Sequence, residues 1–374
     1  MRTRAALLRE APGKWSVEEV ELDGPKTGEV LVEMVATGLC HSDDHAATGD
    51  LSAGHLPMVA GHEGSGIVRE VGPGVRDVEV GDHIITSFIP ACGQCRWCAS
   101  GMQNLCDNGA LIGLGPQFDG TFRMHTDDGL DVGTSSLLGT FAEWQVYDEK
   151  SVVKIAKDLP LEVACLVACG VQTGFGSATT AGNVQPGDVV VVVGVGGVGM
   201  NAVQGAQANG AAHVIAVDPV QAKQEWAHDF GATESFGSLA AAMDRVRELT
   251  NGQGADVTIL TAGLVGNDMI GEGYQSIRKA GTLVVSGVGP EREDAPVPGL
   301  NALSIAFMQK RIQGALYGAQ SPRQAMPRLL EMYRAGTLKL DELITKVYSL
   351  DEINDAYDDM RAGKNIRGVI HFTK

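Results

Sequence analysis

Hydrophobic and polar positions along this chain follow two different rhythms. Over roughly the first 150 residues the apolar positions come in short alternating runs broken by turn residues. Glu29-Val-Leu-Val-Glu-Met-Val has the period-2 pattern of a half-buried strand. Gly66-Ile-Val-Arg-Glu-Val-Gly and Asp82-His-Ile-Ile-Thr-Ser behave similarly, with Gly72-Pro-Gly as a turn between them. Together these runs predict a many-stranded, partly open β domain.

From about Gln185-Pro-Gly-Asp the rhythm changes. Val189-Val-Val-Val-Val is a continuous apolar run, as expected for a strand buried on both faces of a parallel sheet. An Ala-rich helical stretch follows and stops at Asn209-Gly. His213-Val-Ile-Ala-Val-Asp, Val257-Thr-Ile-Leu-Thr-Ala and Thr282-Leu-Val-Val-Ser-Gly-Val then alternate with helical segments, which predicts a βαβ array. Beyond it the pattern predicts an amphipathic helix around Met326 to Tyr333, a second from Leu350 to Arg361, and a closing strand at Gly368-Val-Ile-His-Phe. A chain of 374 residues is too long for one ordinary core, so two domains are expected.

Composition narrows the function classes. A net charge of −17 argues against nucleic acid or an anionic membrane as partner, since phosphate binding needs surplus Lys and Arg. No apolar run reaches the roughly 18 residues of a membrane span. The apolar stretch after Met1-Arg-Thr-Arg is too short for a secretory segment, so a cytoplasmic location is expected.

Two patterns carry chemistry. Gly194-Val-Gly-Gly-Val-Gly lies between the Val-rich strand and the helix that follows, and Asp218 ends the next strand. In that context Gly194 permits the tight turn, Gly196 lets backbone approach a pyrophosphate, and Gly199 lets helix pack on strand. The phosphates would meet the helix N-terminus, formed by Gly197, Val198 and Gly199. Asp218 suits the adenosine ribose and would repel a 2′-phosphate, favouring NAD over NADP. Cys92, Cys95, Cys98 and Cys106 supply four thiolates on one short loop, a set that closes a tetrahedral zinc shell of structural type. A nucleic-acid-binding finger is disfavoured by the acidic balance, and a disulfide framework by the expected compartment.

Cys40, His62 and Cys169 are scattered, and singly each reads equally well as a buried core residue. Cys40 stands in a cluster of protic groups, Cys40-His41-Ser42-Asp43-Asp44-His45, and His62 stands beside Glu63. Two thiolates and an imidazole with a fourth position open form the alcohol dehydrogenase type of catalytic zinc.

At this point the whole chain resembles the zinc-dependent alcohol dehydrogenases of the medium-chain dehydrogenase/reductase superfamily. The stretches Gly38-Leu-Cys-His-Ser-Asp-Asp-His, Ser87-Phe-Ile-Pro-Ala-Cys-Gly-Gln-Cys-Arg-Trp-Cys, Leu138-Gly-Thr-Phe-Ala-Glu-Trp and Ala216-Val-Asp-Pro-Val resemble in particular its actinobacterial nitrosodimethylaniline-dependent, mycofactocin-associated branch. The resemblance implies a GroES-like partly open β-barrel domain with two zinc sites over residues 1–170 and 315–374. It also implies a Rossmann doubly wound parallel-sheet domain, binding NAD, over residues 171–314.

The resemblance makes Cys40, His62 and Cys169 the catalytic zinc ligands, and Cys92, Cys95, Cys98 and Cys106 the structural set. It makes Ser42 and His45 a proton relay, Asp43 the carboxylate that orients the ligand histidine, and Glu63 one close behind the metal. His41 and Arg367 would meet the pyrophosphate, Thr173 the nicotinamide carboxamide side, and Lys223 the adenosine ribose with Asp218; Val288 would be a further cofactor contact. Phe88 and Leu111 match substrate-channel positions, while Ser135 and Ser136 replace bulkier apolar residues of some relatives. Cys165 matches no ligand position and reads as core.

The activity implied is hydride transfer between a primary or other small alcohol, or its aldehyde, and NAD. NAD(H) would stay bound between turnovers and be reoxidised by a separate redox carrier, and the chain would form a homodimer or homotetramer. Two alternatives stay open: a thiol-dependent formaldehyde dehydrogenase of the same superfamily, and a non-enzymatic NAD-binding regulator.

Overall fold

In the computed structural model, which describes residues 1–290 and 295–372, the chain forms two compact units, Met1–Cys169 with Ser321–Lys374, and Gly170–Gln320. The first is built around the strand Glu29–Gly38. This strand pairs along one edge with Glu63–Val71, and along the other with Trp144–Asp148 and then Arg367–His371. Its alternation suggested one buried face, yet every residue except Val35 is buried. Val30, Val32 and Met34 join a cluster with Val68, Ile84 and Tyr147, whereas Leu31 joins Leu7, Val20, Val59 and Val146 on the opposite face.

The two glutamates that made the run look amphipathic are paired rather than solvated. Glu29 meets Arg123, itself 1% exposed, through Nη2–Oε1 at 2.5 Å and Nε–Oε2 at 2.9 Å, and Glu33 meets Arg69 at 2.6 Å. A buried charge is tolerated only when paired in this way.

Arg2–Leu8, Trp15–Leu22, Met124–His125, Asp131–Thr134 and Met58–Val59 close a small barrel. Glu29–Gly38 belongs instead to a seven-stranded sheet that ends on Ile344–Tyr348. The segment Ser321–Lys374 contributes the helix Pro322–Arg334, the helix Ile353–Arg361 and the strand Arg367–His371 to this unit.

In the second unit six parallel strands run in the order Glu234–Phe236, His213–Val217, Val189–Val193, Ala255–Leu260, Ile277–Val285, Arg311–Gly314. Numbered within the unit this is 3-2-1-4-5-6, the doubly wound Rossmann order. Val189–Val193 sits at its centre and is buried along its whole length, as the unbroken apolar run requires. Among the described residues, no single helix is long and apolar enough to cross a membrane.

Candidate active site

The glycine motif starts where Val193 ends its strand. Gly194 has φ +89, and a Cβ there would lie 2.6 Å from the Ala262 backbone nitrogen. A Cβ on Gly199 would lie 2.0 Å from the Gly194 carbonyl oxygen, so the helix Gly197–Ala208 can approach the strand only without side chains at both points. At Gly196 the opposite holds: nothing lies within 4 Å of its Cβ position. That open face stands at the helix N-terminus, where unpaired N–H groups suit a phosphate.

Asp218 is 5% exposed and braces the motif: Val195 N–H donates to Oδ2 at 3.0 Å and Val220 N–H to Oδ1 at 2.9 Å. Lys223 lies half-buried in the first turn of the helix Gln221–Asp229, five residues after that carboxylate in sequence. Thr173 is buried within the helix Gly170–Gly176, and the Val288 carbonyl accepts from Val265 N–H at 2.8 Å.

The loop Cys92–Cys106 gathers its four sulfurs within 4.8 Å of one another. Zinc–thiolate bonds near 2.3 Å in a tetrahedron separate the sulfurs by about 3.8 Å, and Cys92 Sγ and Cys98 Sγ are 3.9 Å apart. Backbone N–H groups of Gln94 and Cys95 point at Cys92 Sγ, and that of Cys98 at Cys95 Sγ, at 3.3 to 3.5 Å. The N–H groups of Cys98 and Asp107 draw the Cys95 thiol down to about 6, whereas burial pushes Cys98 up to about 12. A donor set this dense, all sulfur, fits zinc.

A second group assembles from three distant segments: Cys40, His62, Glu63 and Cys169 bring one ligand atom each within 4.8 Å. Cys40 caps the helix His41–Thr48, His62 immediately precedes the strand Glu63–Val71 that Glu63 starts, and Cys169 follows the turn Cys165–Ala168. Cys169 donates its hydrogen to Cys40, which holds the Cys40 thiol well below its usual range and Cys169 well above it. Burial pulls the His62 imidazolium down, but Asp43 and Cys40 outweigh it and raise it well above the ordinary value.

Asp43 sits 3.0 Å from His62 Nδ1 and also accepts from Gly61 N–H at 2.9 Å. It therefore fixes the ring and leaves Nε2 as the ligand nitrogen. Behind the group, burial pushes Glu63 up to about 7 against the opposing pull of Arg367. Two thiols, an imidazole and a carboxylate in one cluster, buried except for the half-buried Cys40, also fit zinc.

Arg367 is 5% exposed, and its guanidinium donates to Glu63 and to the Leu39 carbonyl. An unpaired Glu63 charge at such depth would be costly, and Arg367 compensates it. His41 begins its helix as an exposed residue. Ser42 Oγ lies 3.6 Å from Cys40 Sγ, and His45, three residues on, is 8% exposed with Nδ1 3.0 Å from Asp50.

A cavity of about 180 Å³ opens beside this cluster, lined by Ser42, His62, Leu51, Met58, Ser135 and Ser136 among others. Phe88 packs edge-on against the His62 ring, with centroids 5.6 Å apart. Leu111 does not line the cavity; its neighbour Ile112 does. Cys165 is fully buried outside both sulfur groups.

Sequence reasoning missed Thr86, whose hydroxyl donates to the His62 carbonyl at 2.8 Å and accepts from Gly64 N–H at 2.8 Å. It also missed Asp50. The only signal for either was nearness to a site residue through a fold not yet known.

Known proteins match this arrangement. Residues 26–157 match the alcohol dehydrogenase GroES-like domain, and residues 197–334 the zinc-binding dehydrogenase domain. The chain is 49% identical to the NDMA-dependent alcohol dehydrogenase of Amycolatopsis methanolica, covering 99% of each chain. It is 47% identical to alcohol dehydrogenase B of Mycobacterium tuberculosis, over 100% of this chain and 99% of that one. Among solved structures, an alcohol dehydrogenase zinc-binding domain protein from Burkholderia ambifaria superposes with a TM-score of 0.92 at 30% identity, over the full length of both chains. Benzyl alcohol dehydrogenase of Acinetobacter calcoaceticus gives 0.90 at 29%, again over both full lengths. With its barrel and Rossmann units, its two metal-ready clusters and relatives of this kind along its whole length, the chain belongs to the zinc-dependent alcohol dehydrogenases of the medium-chain dehydrogenase/reductase superfamily.

Proposed function

We propose that this enzyme oxidises a primary or other small alcohol, or reduces the matching aldehyde, with NAD. In this reading Cys40, His62 and Cys169 are the ligands of a catalytic zinc and Cys92, Cys95, Cys98 and Cys106 those of a structural one. The observation that supports it best is the convergence of Cys40, His62 and Cys169 from three remote segments beside a small cavity. The open face at Gly196 supports dinucleotide binding at the glycine motif, and the bracing carboxylate of Asp218 supports NAD over NADP.

When bound, zinc would supply Lewis-acid polarisation of the alcohol oxygen, and NAD the hydride acceptor. The chain's own residues supply the rest. Asp43 orients His62, and the Arg367–Glu63 pair balances charge behind the ligands. Ser42, facing the cavity next to Cys40, receives the proton that leaves the alcohol, and His45 passes it towards solvent. Leu51, Met58, Ile112 and Phe88 exclude water around the reacting carbon. Among the described residues, the cavity lining contains no Lys or Arg, which favours a plain alcohol over a carboxylate-bearing thiol adduct.

The likeness to an NDMA-dependent relative supports a further element, NAD(H) that stays bound between turnovers and is reoxidised by a separate carrier. Pairing of two copies is proposed through the strand Arg311–Gly314, an exposed sheet edge beside the helix Ala302–Met308 and its exposed Leu303 and Phe307.

The test is direct. Cys40→Ser is expected to abolish turnover while one zinc per chain remains by elemental analysis; retained turnover, or loss of all metal, would reject the ligand assignment. Denaturing the purified protein should release NAD(H), and an artificial acceptor should outperform added NAD. Rapid exchange with free NAD would reject the retained cofactor while leaving the dehydrogenase reading intact.

A further inference from the structure

The helix His41–Thr48 ends in a turn that the reaction above does not use. Gly49 adopts φ +84, in the left-handed region, and Leu51 N–H returns to the His45 carbonyl at 3.1 Å. This is the glycine-terminated helix ending that reverses the chain within one turn. The reversal lays Asp50 back along the helix it has just left. Its Oδ2 comes to 3.0 Å from His45 Nδ1 and accepts from the Thr48 hydroxyl at 2.7 Å. The His45 side chain is 10% exposed and that of Asp50 50%, so the carboxylate reaches solvent from the edge of a buried ring.

We propose that Asp50 is a positioning residue for proton exit, acting through His45; the inference rests on the alcohol dehydrogenase reading above. An ionised carboxylate can only accept, so the ring nitrogen facing it carries the hydrogen. His45 is thereby held as its Nδ1–H tautomer with the lone pair on Nε2, the nitrogen that must act as base. A proton arriving at Nε2 makes an imidazolium whose charge Asp50 offsets. The ring then gives one proton to water and returns to the Nδ1–H form. Asp50 keeps its charge throughout and never carries the proton, as in other carboxylate–imidazole pairs. Thr48 completes the arrangement by tying down the oxygen that faces the ring. The segment Thr48-Gly49-Asp50 is thus one device: a hydroxyl, a chain reversal and a carboxylate aimed at a single nitrogen.

The experiment compares Asp50→Ala, Asp50→Glu and His45→Ala in the full-length enzyme. Steady-state kinetics are combined with ¹⁵N spectra of histidine-labelled protein, in which His45→Ala assigns the ring. Asp50→Ala is expected to lower kcat about tenfold. That is less than a buried general base commonly contributes, because water can partly replace an exit group. KM for the alcohol and the melting temperature should not change. The His45 ring should lose its Nδ1–H signature, and Asp50→Glu should restore most of the rate and the signature. A purely structural role for the turn would move the melting temperature and leave the tautomer alone.

Unchanged kcat and unchanged ring signals in Asp50→Ala, with His45→Ala impaired, would overturn the proposal while leaving the relay intact. If His45→Ala turns over as fast as the unmodified enzyme, the relay itself fails and the role of Asp50 falls with it. The two failures are therefore told apart by the histidine variant.

Discussion

Asp43 joins two functions in one carboxylate, since it accepts from Gly61 N–H and from the ring of His62 while almost fully buried. It positions the loop that delivers the ligand and fixes the ligand's orientation. Replacing it with Ala should leave the cysteine-bound zinc in place and weaken the other by about ten- to a hundredfold, as loss of a ligand-orienting partner usually does; zinc competition with a chelator would measure this, and unaltered affinity would contradict it. Single residues are also where the sequence was hardest to read. Cys92, Cys95, Cys98 and Cys106 announced their site because fifteen residues of chain hold all four. Cys40, His62 and Cys169 are separated by strands and helices whose pairing no local pattern encodes, and only family likeness joined them. Arg367 has a contact that the likeness did not name: its burial demands a partner inside the fold, and Glu63 provides it. Glu29 gives the same lesson, as a polar residue at an apparently outward position whose partner, Arg123, lies 94 residues away.

At the scale of elements, short segments of local chemistry were legible and long-range docking was not. The Val189–Val193 run, the glycine turn and the helix to Ala208 follow from rules of burial, φ and helix capping. What the pattern could not supply is the attachment of the helix His41–Thr48 to the helix Ile353–Arg361. Arg361 grips Asp44 with Nη2 at 2.5 Å and Nε at 3.1 Å, across more than three hundred residues of sequence. Arg361→Ala leaves Asp44 buried without that partner, so the unit should lose about 1–3 kcal/mol. Because the same helix carries Ser42 and His45, kcat should fall with it; thermal melting and kinetics together check both, and loss of neither would mean the pair is ornamental. The cysteine loop gives a prediction in pH. Cys98 is pushed up to about 12 and Cys106 is raised as well, both by burial, so at neutral pH each carries a proton that zinc must displace. Zinc binding there should release at least two protons per ion, and affinity should rise with pH. Below about 6 Cys95 too must lose a proton, and the dependence should steepen. Calorimetry of zinc binding in buffers of different ionisation enthalpy reads the count directly, and binding without proton release would refute it.

Over the whole molecule, one surface that the two cores do not explain is the end of the six-stranded sheet. Arg311–Gly314 pairs on one side with Ile277–Val285 and is exposed along its entire length. Edge strands normally carry charges, prolines or bulges that discourage pairing, yet Ile312 here is 42% exposed, and Leu303 and Phe307 on the preceding helix are 67% and 78% exposed. Scattered apolar residues need no explanation, but here one stands on an open strand edge and two on the helix that leads into it in sequence. A two-fold axis through that edge would let the strand pair with its own copy, each backbone satisfying the other, while the helices cover the flanking side chains. On this argument Ile312→Pro removes a backbone donor and bends the edge without touching either metal cluster. If copies pair there, it should give smaller species than the unmodified protein in analytical ultracentrifugation, with metal content and affinity for NAD unchanged. Phe307→Glu should act in the same direction by burying a charge at the contact. If both variants sediment as the unmodified protein does, this edge is not where copies meet, and the exposed side chains need a different partner.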